Sequence, residues 1–248
     1  MRQTFPRRTF LALAAGAAVV APRITFAANE APAMLDHILL GCNDLDRGID
    51  FVEKHTGVRA AFGGVHPGRG TRNALLSLGE KHYLEIIAPD PQQPNAPDHY
   101  GLQKLTEPRL VTWAAHPGDL TQFASHLTAA SIAFEGPTPG SRQRPDGRLL
   151  QWKTLNLKDD REGLLPFFIE WSPDTIHPSA DAPSGCKTFG FRLVAPDNSE
   201  LEDLCKLLEL DVSVTHGAPS EFFANILGPR GGVLPLGSKS RSRLIAQR

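Results

Sequence analysis

Cysteine is scarce in this chain. There are three in 248 residues, Cys42, Cys186 and Cys205, with no Cys-x-x-Cys spacing. That excludes a disulfide-framed scaffold or a cysteine zinc site. It leaves either one bridge, Cys186 to Cys205, or three buried thiols acting as small apolar residues. An excess of either charge is also missing, with 26 Lys and Arg against 27 Asp and Glu. No basic patch or aromatic-interleaved basic run is present, so nucleic acid is not expected as a partner. No apolar run reaches membrane-spanning length, and no Ser-His-Asp or Cys-His nucleophile motif is evident. What remains, 41% hydrophobic and 21% charged residues, suits a globular protein with a good core.

The apolar run from Leu11 to Ala21 reads as something other than fold. Arg7-Arg8-Thr9-Phe10-Leu11 precedes it, and Thr25-Phe26-Ala27 offers a small-x-small cleavage site. This is the grammar of an export signal over residues 1–27, too short and weak for a membrane span. The paired arginines resemble a twin-arginine signal, so a periplasmic or secreted protein is expected, without stable membrane insertion once the signal is removed. Taking the four arginines of that segment from 26 basic residues leaves 22 against 27 acids, a net charge of −5.

Beyond it, one signature occurs twice. Leu35-Asp36-His37-Ile38-Leu39-Leu40 opens a first half that closes on Tyr83-Leu84-Glu85-Ile86-Ile87; Leu110-Val111-Thr112-Trp113 opens a second that closes on Phe167-Phe168-Ile169-Glu170-Trp171. Laying Asp44-Leu45 on Asp119-Leu120 sets His37 opposite Thr112, and matching the exits sets Glu85 opposite Glu170. The expected fold is α+β: two tandem βαβββ modules, residues 34–89 and 108–173, around a shared half-open barrel cleft. A partial third βαβ-like extension is expected over 186–237. Within the modules, Asn43 or Asp44 can cap a helix that Gly57 stops, and Leu120, Phe123 and Leu127 sit at helical spacing. Thr71 to Leu78 and Lys81 to Ala88 read as a hairpin. Gly136 to Gly147 reads as a proline- and glycine-rich loop, and Pro89 to Pro97, with four prolines in nine residues, as a linker.

A carboxylate in an apolar strand must be paired, protonated or bound to a cation. Alternation places His37 on the face of Leu35 and Leu39, and Glu85 on the face of Tyr83 and Ile87, with His82 pointing away. His37, Glu85 and Glu170 would give a divalent ion (Zn, Fe, Mn, Ni or Co) three protein ligands, as a catalytic site needs. The plainer reading of His37 is a satisfied core histidine, and Thr112 is a poor fourth ligand. The run from His66 to Asn73 could grip an anionic oxygen through Arg69, Thr71 and Asn73, or be a tight loop chosen for its turn geometry. Arg144, Arg148, Trp152 and Trp171 fall near the second wall of the cleft and could hold an oxygenated or aromatic ligand.

The tandem Asp-His and Leu-Glu strands resemble the vicinal-oxygen-chelate superfamily. Gly63-Gly64-Val65-His66-Pro67-Gly68-Arg69-Gly70-Thr71-Arg72-Asn73, joined to Tyr83-Leu84-Glu85, resembles its glyoxalase-like domain group. The resemblance implies a divalent metal at His37, Glu85 and Glu170 that chelates a small oxygenated substrate. The implied chemistry is of lyase, isomerase, epimerase or dioxygenase type. Glu170 is the expected catalytic base if His37 and Glu85 alone anchor the metal with a ligand from the loop. His66, Arg69, Thr71, Asn73, Arg148 and Trp152 are the expected substrate-binding residues. Metal-free relatives that only bind ligands set the alternative, a small-molecule binding or sequestration protein. A homodimer is compatible with either.

Overall fold

The computed structural model describes Met1 and residues 31–239. The expected export segment, Met1 apart, lies outside the described residues. The first module runs β1 (Leu35–Gly41), α1 (Leu45–Thr56), β2 (Ala61–His66), β3 (Thr71–Gly79) and β4 (His82–Pro89). The second runs β5 (Arg109–Ala115), α2 (Leu120–Ala129), β6 (Phe134–Gln143), β7 (Leu149–Leu157) and β8 (Phe167–Trp171). Both helices start on an aspartate whose carboxylate takes orphan backbone N–H groups, Asp44 from Arg47 and Asp119 from Thr121 and Gln122. Gly57, at φ 77°, ends α1 in the left-handed conformation that favours glycine.

Together the modules build one eight-stranded sheet in the order β2-β3-β4-β1-β5-β8-β7-β6. Its centre is the antiparallel pair β1 and β5, in which His37 faces Ala114, Ile38 faces Trp113 and Leu39 faces Thr112. Moving along the chain by 75 residues carries Asp44 onto Asp119, His37 onto Thr112 and Leu39 onto Ala114, so the ladder maps onto itself. A pseudo-two-fold axis therefore passes between the strands at Ile38 and Trp113. One sheet face packs against α1 and α2 through Ile38, Leu40, Leu84, Ile86, Trp113 and Phe168; the other holds Leu39, Ile87, Val111 and Phe167.

β2 and β6 are the two edge strands of the sheet, and they meet in a seam where Arg142 of β6 donates to the Gly63 carbonyl of β2. The stretch read as a loop from Gly136 onward is strand β6 as far as Gln143. Pro137 and Pro139 are tolerated there because an edge strand does not need every N–H in a ladder. The third unit is β9 (Lys187–Ala195), α3 (Asn198–Leu207), β10 (Ser213–His216), β11 (Glu221–Leu227) and β12 (Val233–Gly237), a sheet in the order β10-β9-β11-β12. Here β9 pairs in parallel with β10, the strand straight after the helix, whereas β1 pairs in parallel with β4. The unit is thus βαβ-like but not a third copy. Phe191 docks it on Trp113, ring centroids 4.9 Å apart. All three cysteines are free and buried, so Cys186 and Cys205 are not bridged. Burial pushes the Cys42 thiol up to about 12 and Cys205 to about 11, which makes both inert.

Candidate active site

A cavity of about 140 Å³ opens on the concave face between the modules, with His37, His66, Arg69, Thr71, Asn73 and Glu85 on one side and Trp152, Phe167 and Trp171 on the other. His37 is held from an unexpected direction. Between Leu35 and His37 the β1–β5 register slips by one, making Asp36 a bulge. Leu35 therefore packs in the helix-side core, not on the His37 face, and Asp36 can turn back to its neighbour. The Asp36 Oδ1 lies 2.6 Å from His37 Nδ1, while Oδ2 accepts from Trp171 Nε1 at 2.9 Å and sits 3.2 Å from His177 Nε2. Burial opposes ionisation of Asp36, but the His177 and His37 hydrogen bonds outweigh it and hold the carboxyl well below the usual range. With Nδ1 engaged, His37 presents Nε2 to the cleft, 3.5 Å from Glu85 Oε2. Tyr83 stacks on the imidazole at 4.5 Å.

Glu85 itself is buried. Asn73 Nδ2 donates to its Oε1 at 2.7 Å, and His66 Nε2 stands 3.7 Å from the same oxygen. Thr71 Oγ1 fixes His66 Nδ1 at 2.8 Å, and burial holds the His66 pKa below its ordinary value despite Glu85. The expected linker has a task here. Gln93 accepts from the Gly68 N–H at 2.7 Å and donates to the His66 carbonyl at 3.2 Å, fixing the loop that carries Arg69.

The second module answers with different chemistry. Leu39 aligns with Glu85 in the β1–β4 ladder and Ala114 with Phe167 in the β5–β8 ladder. Since Leu39 and Ala114 are equivalent, the counterpart of Glu85 is Phe167. By the same ladders Asn73 corresponds to Thr154, Thr71 to Trp152 and His66 to Gly140. A Cβ at Gly140 would lie 2.6 Å from Trp152 Nε1, so glycine there makes room for the indole.

Of the expected site residues, His37, His66, Arg69, Thr71, Asn73, Glu85 and Trp152 line the cleft. Glu170 does not. It is three residues past the true counterpart, an odd step that turns it to the opposite sheet face. There it accepts the Leu120 N–H at the start of α2 at 2.8 Å and lies 3.3 Å from Lys153 Nζ. Arg148 is also outside, bound to Asp146 and Asp181, and Arg144 pairs with Asp181. Sequence reasoning missed Asp36, hidden by its bulge; His177, in the segment after the second module; and Arg142, inside the supposed loop. The Arg142 side chain is 4% exposed, lines the cavity and donates through Nη1 to the Gly63 carbonyl.

A glyoxalase-like domain model matches residues 35–207, both modules and the third unit through the end of α3. The chain belongs to the glyoxalase-like domain family. Its superfamily is the vicinal-oxygen-chelate one. Among solved structures, a hypothetical protein from Staphylococcus aureus shares 16% identity at a TM-score of 0.57, over 82% of this chain and 84% of that one. Methylmalonyl-CoA epimerase from Mycobacterium tuberculosis is 19% identical at TM-score 0.41, over 60% and 93% of the two chains. A methylmalonyl-CoA epimerase in complex with methylmalonyl-CoA and NH4+ is 22% identical at TM-score 0.43, over 60% and 100%. The likeness to the Staphylococcus aureus protein is of fold alone. No curated protein matches the chain.

The donor set does not fit the divalent ion that the family resemblance implies. Among the described residues no three His, Cys, Asp or Glu side chains are grouped to hold a metal. Where the first module has His37 and Glu85, the second has Thr112 and Phe167, and Glu170 faces elsewhere. His66 approaches Glu85 at Oε1, the oxygen already taken by Asn73, while His37 approaches Oε2. Two converging donors fall short of the three a catalytic metal site uses.

Proposed function

We propose that this chain is an enzyme of the vicinal-oxygen-chelate fold that moves a proton on a small oxygenated molecule, with His37 as the proton-carrying group and Glu85 as the carboxylate that steadies its charged form. The carrying observation is the Asp36–His37–Glu85 line. Asp36 keeps the proton on Nδ1, which leaves the Nε2 lone pair facing the cleft. A carbon acid next to a carbonyl gives its proton to Nε2. The imidazolium that forms then lies between two carboxylates, Asp36 and Glu85, which stabilise it. Return of the proton to the same atom is epimerase chemistry and to a neighbouring atom isomerase chemistry; expulsion of a leaving group by the enolate in place of that return is lyase chemistry. Divalent-metal dependence is left out of this reading because no three donors are grouped for an ion among the described residues, and the base role moves from Glu170 to the first module.

The test is exchange with solvent. In D2O, proton NMR of small 2-oxo acids and hydroxyketones incubated with the protein should show loss of the C–H next to the carbonyl. His37→Ala and Glu85→Gln should stop it. Ligands that bind with no exchange across the panel would sink the enzyme reading and support a metal-free sequestration protein.

Export is a second proposal, resting on Arg7-Arg8 and the apolar run behind them. Changing both arginines to lysine should leave uncleaved precursor in the cytoplasm. Unchanged export would assign the segment to the general secretory route.

A further inference from the structure

Arg142 is unusual for its place. A buried guanidinium costs several kcal/mol unless its charge and N–H groups are satisfied. Among the described residues it is given one hydrogen bond, from Nη1 to the Gly63 carbonyl, and no carboxylate within ion-pair distance. Arginines nearby are treated differently: Arg144 and Arg148 each pair with Asp181 outside the cleft. The backbone is shaped around Arg142. A Cβ on Gly64 would stand 2.6 Å from its Nη1. Burial lowers its affinity for the proton, while Glu85 across the cleft favours its charge. Arg69, exposed at the rim, adds a second cation to the same cavity.

We propose that Arg142 is the anion-recognising residue of this cleft and that the ligand is a small carboxylate. The carboxylate lies on the free side of the guanidinium fork, which matches two oxygens at once. The neighbouring carbonyl or hydroxyl then faces His37 and Glu85, and the apolar remainder lies on Trp152 and Phe167. A fixed cation of this kind supplies the positive field an enolate oxygen needs, in a fold whose metal donors are incomplete here. The inference rests on the proton-transfer reading for what happens to the ligand, but not for whether the anion binds.

The experiment uses benzoylformate and its neutral analogue 1-phenyl-1,2-propanedione, which replaces the carboxylate by an acetyl group. Trp152 and Trp171 line the cavity, so quenching of tryptophan fluorescence reports binding. Benzoylformate should bind wild-type protein more tightly than the diketone. Arg142→Gln should weaken benzoylformate roughly 10- to 100-fold and leave the diketone within about twofold. Arg142→Lys keeps the charge but not the fork, should fall between, and decides the matter if the glutamine variant does not fold. Folded variants that bind benzoylformate as wild type does, or lose both compounds equally, would overturn the proposal, as would a wild type quenched by neither. Benzoylformate has no C–H next to its carbonyl and reports binding only; anion-selective binding with no deuterium exchange in the enolisable 2-oxo acids would uphold Arg142 and defeat the proton-transfer reading alone.

Discussion

Asp36 and His37 are adjacent in sequence and still hydrogen-bond through their side chains, Oδ1 to Nδ1 at 2.6 Å. In a regular strand, neighbours point to opposite faces and do not meet. The bulge at Asp36 brings them together and brings Trp171 and His177 to the same carboxylate. One buried anion thus ties His37 to the second module and to the segment that follows it.

Asp36→Asn should slow solvent exchange by roughly 10²–10⁴-fold, since the imidazole loses the anion that fixes its proton and steadies its charged form. Stability gives an independent check. Asp36 is ionised in the fold below its ordinary range, so in acid the unfolded chain binds more protons than the folded one. Its contribution is present above the unfolded value of about 3.9 and is lost as pH falls from there toward the lowered folded value. The melting temperature of wild type should exceed that of Asp36→Asn at neutral pH, and the gap should narrow below about pH 4. A gap that does not change with pH would refute an ionised Asp36.

Glu85 and Glu170, alike in sequence context, should part company on mutation. Glu85→Gln keeps an oxygen for Asn73 and should cut exchange by roughly 10²–10⁴-fold in a folded protein. Glu170→Gln should leave exchange near wild type and cost about 0.5–1 kcal/mol in denaturant unfolding, because it weakens an anion at the start of α2. Equal loss of activity in both would return Glu170 to the site.

This pair also shows how far the sequence was legible. Strand parity grouped His37 with Leu39, and Glu85 with Tyr83 and Ile87, because apolar neighbours mark the buried strands and their period is two; it wrongly added Leu35 to the His37 face. The match of Asp44 to Asp119 survived because both are helix caps, a role with its own chemistry. The match of Glu85 to Glu170 failed because Ile-Glu and Leu-Glu look alike while the second module is longer between its first and last strands. Three residues of error are enough to change the face. Arg142 was lost for another reason: Gly136, Pro137, Pro139 and Gly140 are loop signals anywhere except a sheet edge, and β6 is an edge. Nothing in the sequence marks the bulge at Asp36.

Chelation should leave the cleft working. After exhaustive dialysis against EDTA, benzoylformate binding and solvent exchange should both persist, and elemental analysis of untreated protein should find no stoichiometric divalent metal. His37 and Glu85 are too few donors to hold such an ion by themselves. Recovery of exchange only on adding back Zn, Mn, Fe, Ni or Co would show that substrate completes a metal site these residues begin.

Gly64→Ala probes the edge-to-edge seam. Gly64 sits at φ 142°, and an added methyl would lie 2.6 Å from Arg142 Nη1 and 3.2 Å from the Gln143 carbonyl. The variant should lose roughly 1–3 kcal/mol of stability by chemical denaturation. It should also bind benzoylformate more weakly as the guanidinium is pushed aside. Normal affinity would show that Arg142 has room to spare.

Replacement of Glu85, His66 and Asn73 by Phe167, Gly140 and Thr154 on the opposite wall has a stereochemical consequence. A cleft with both halves alike offers reactive groups to either side of a planar carbon, and a ligand can enter in two equivalent ways. This cleft offers them from one wall only, with a greasy aromatic backing on the other. On the proposed proton transfer, a flat enolate between the walls would be reached from a single face, and a proton returned there would set one handedness at the new centre.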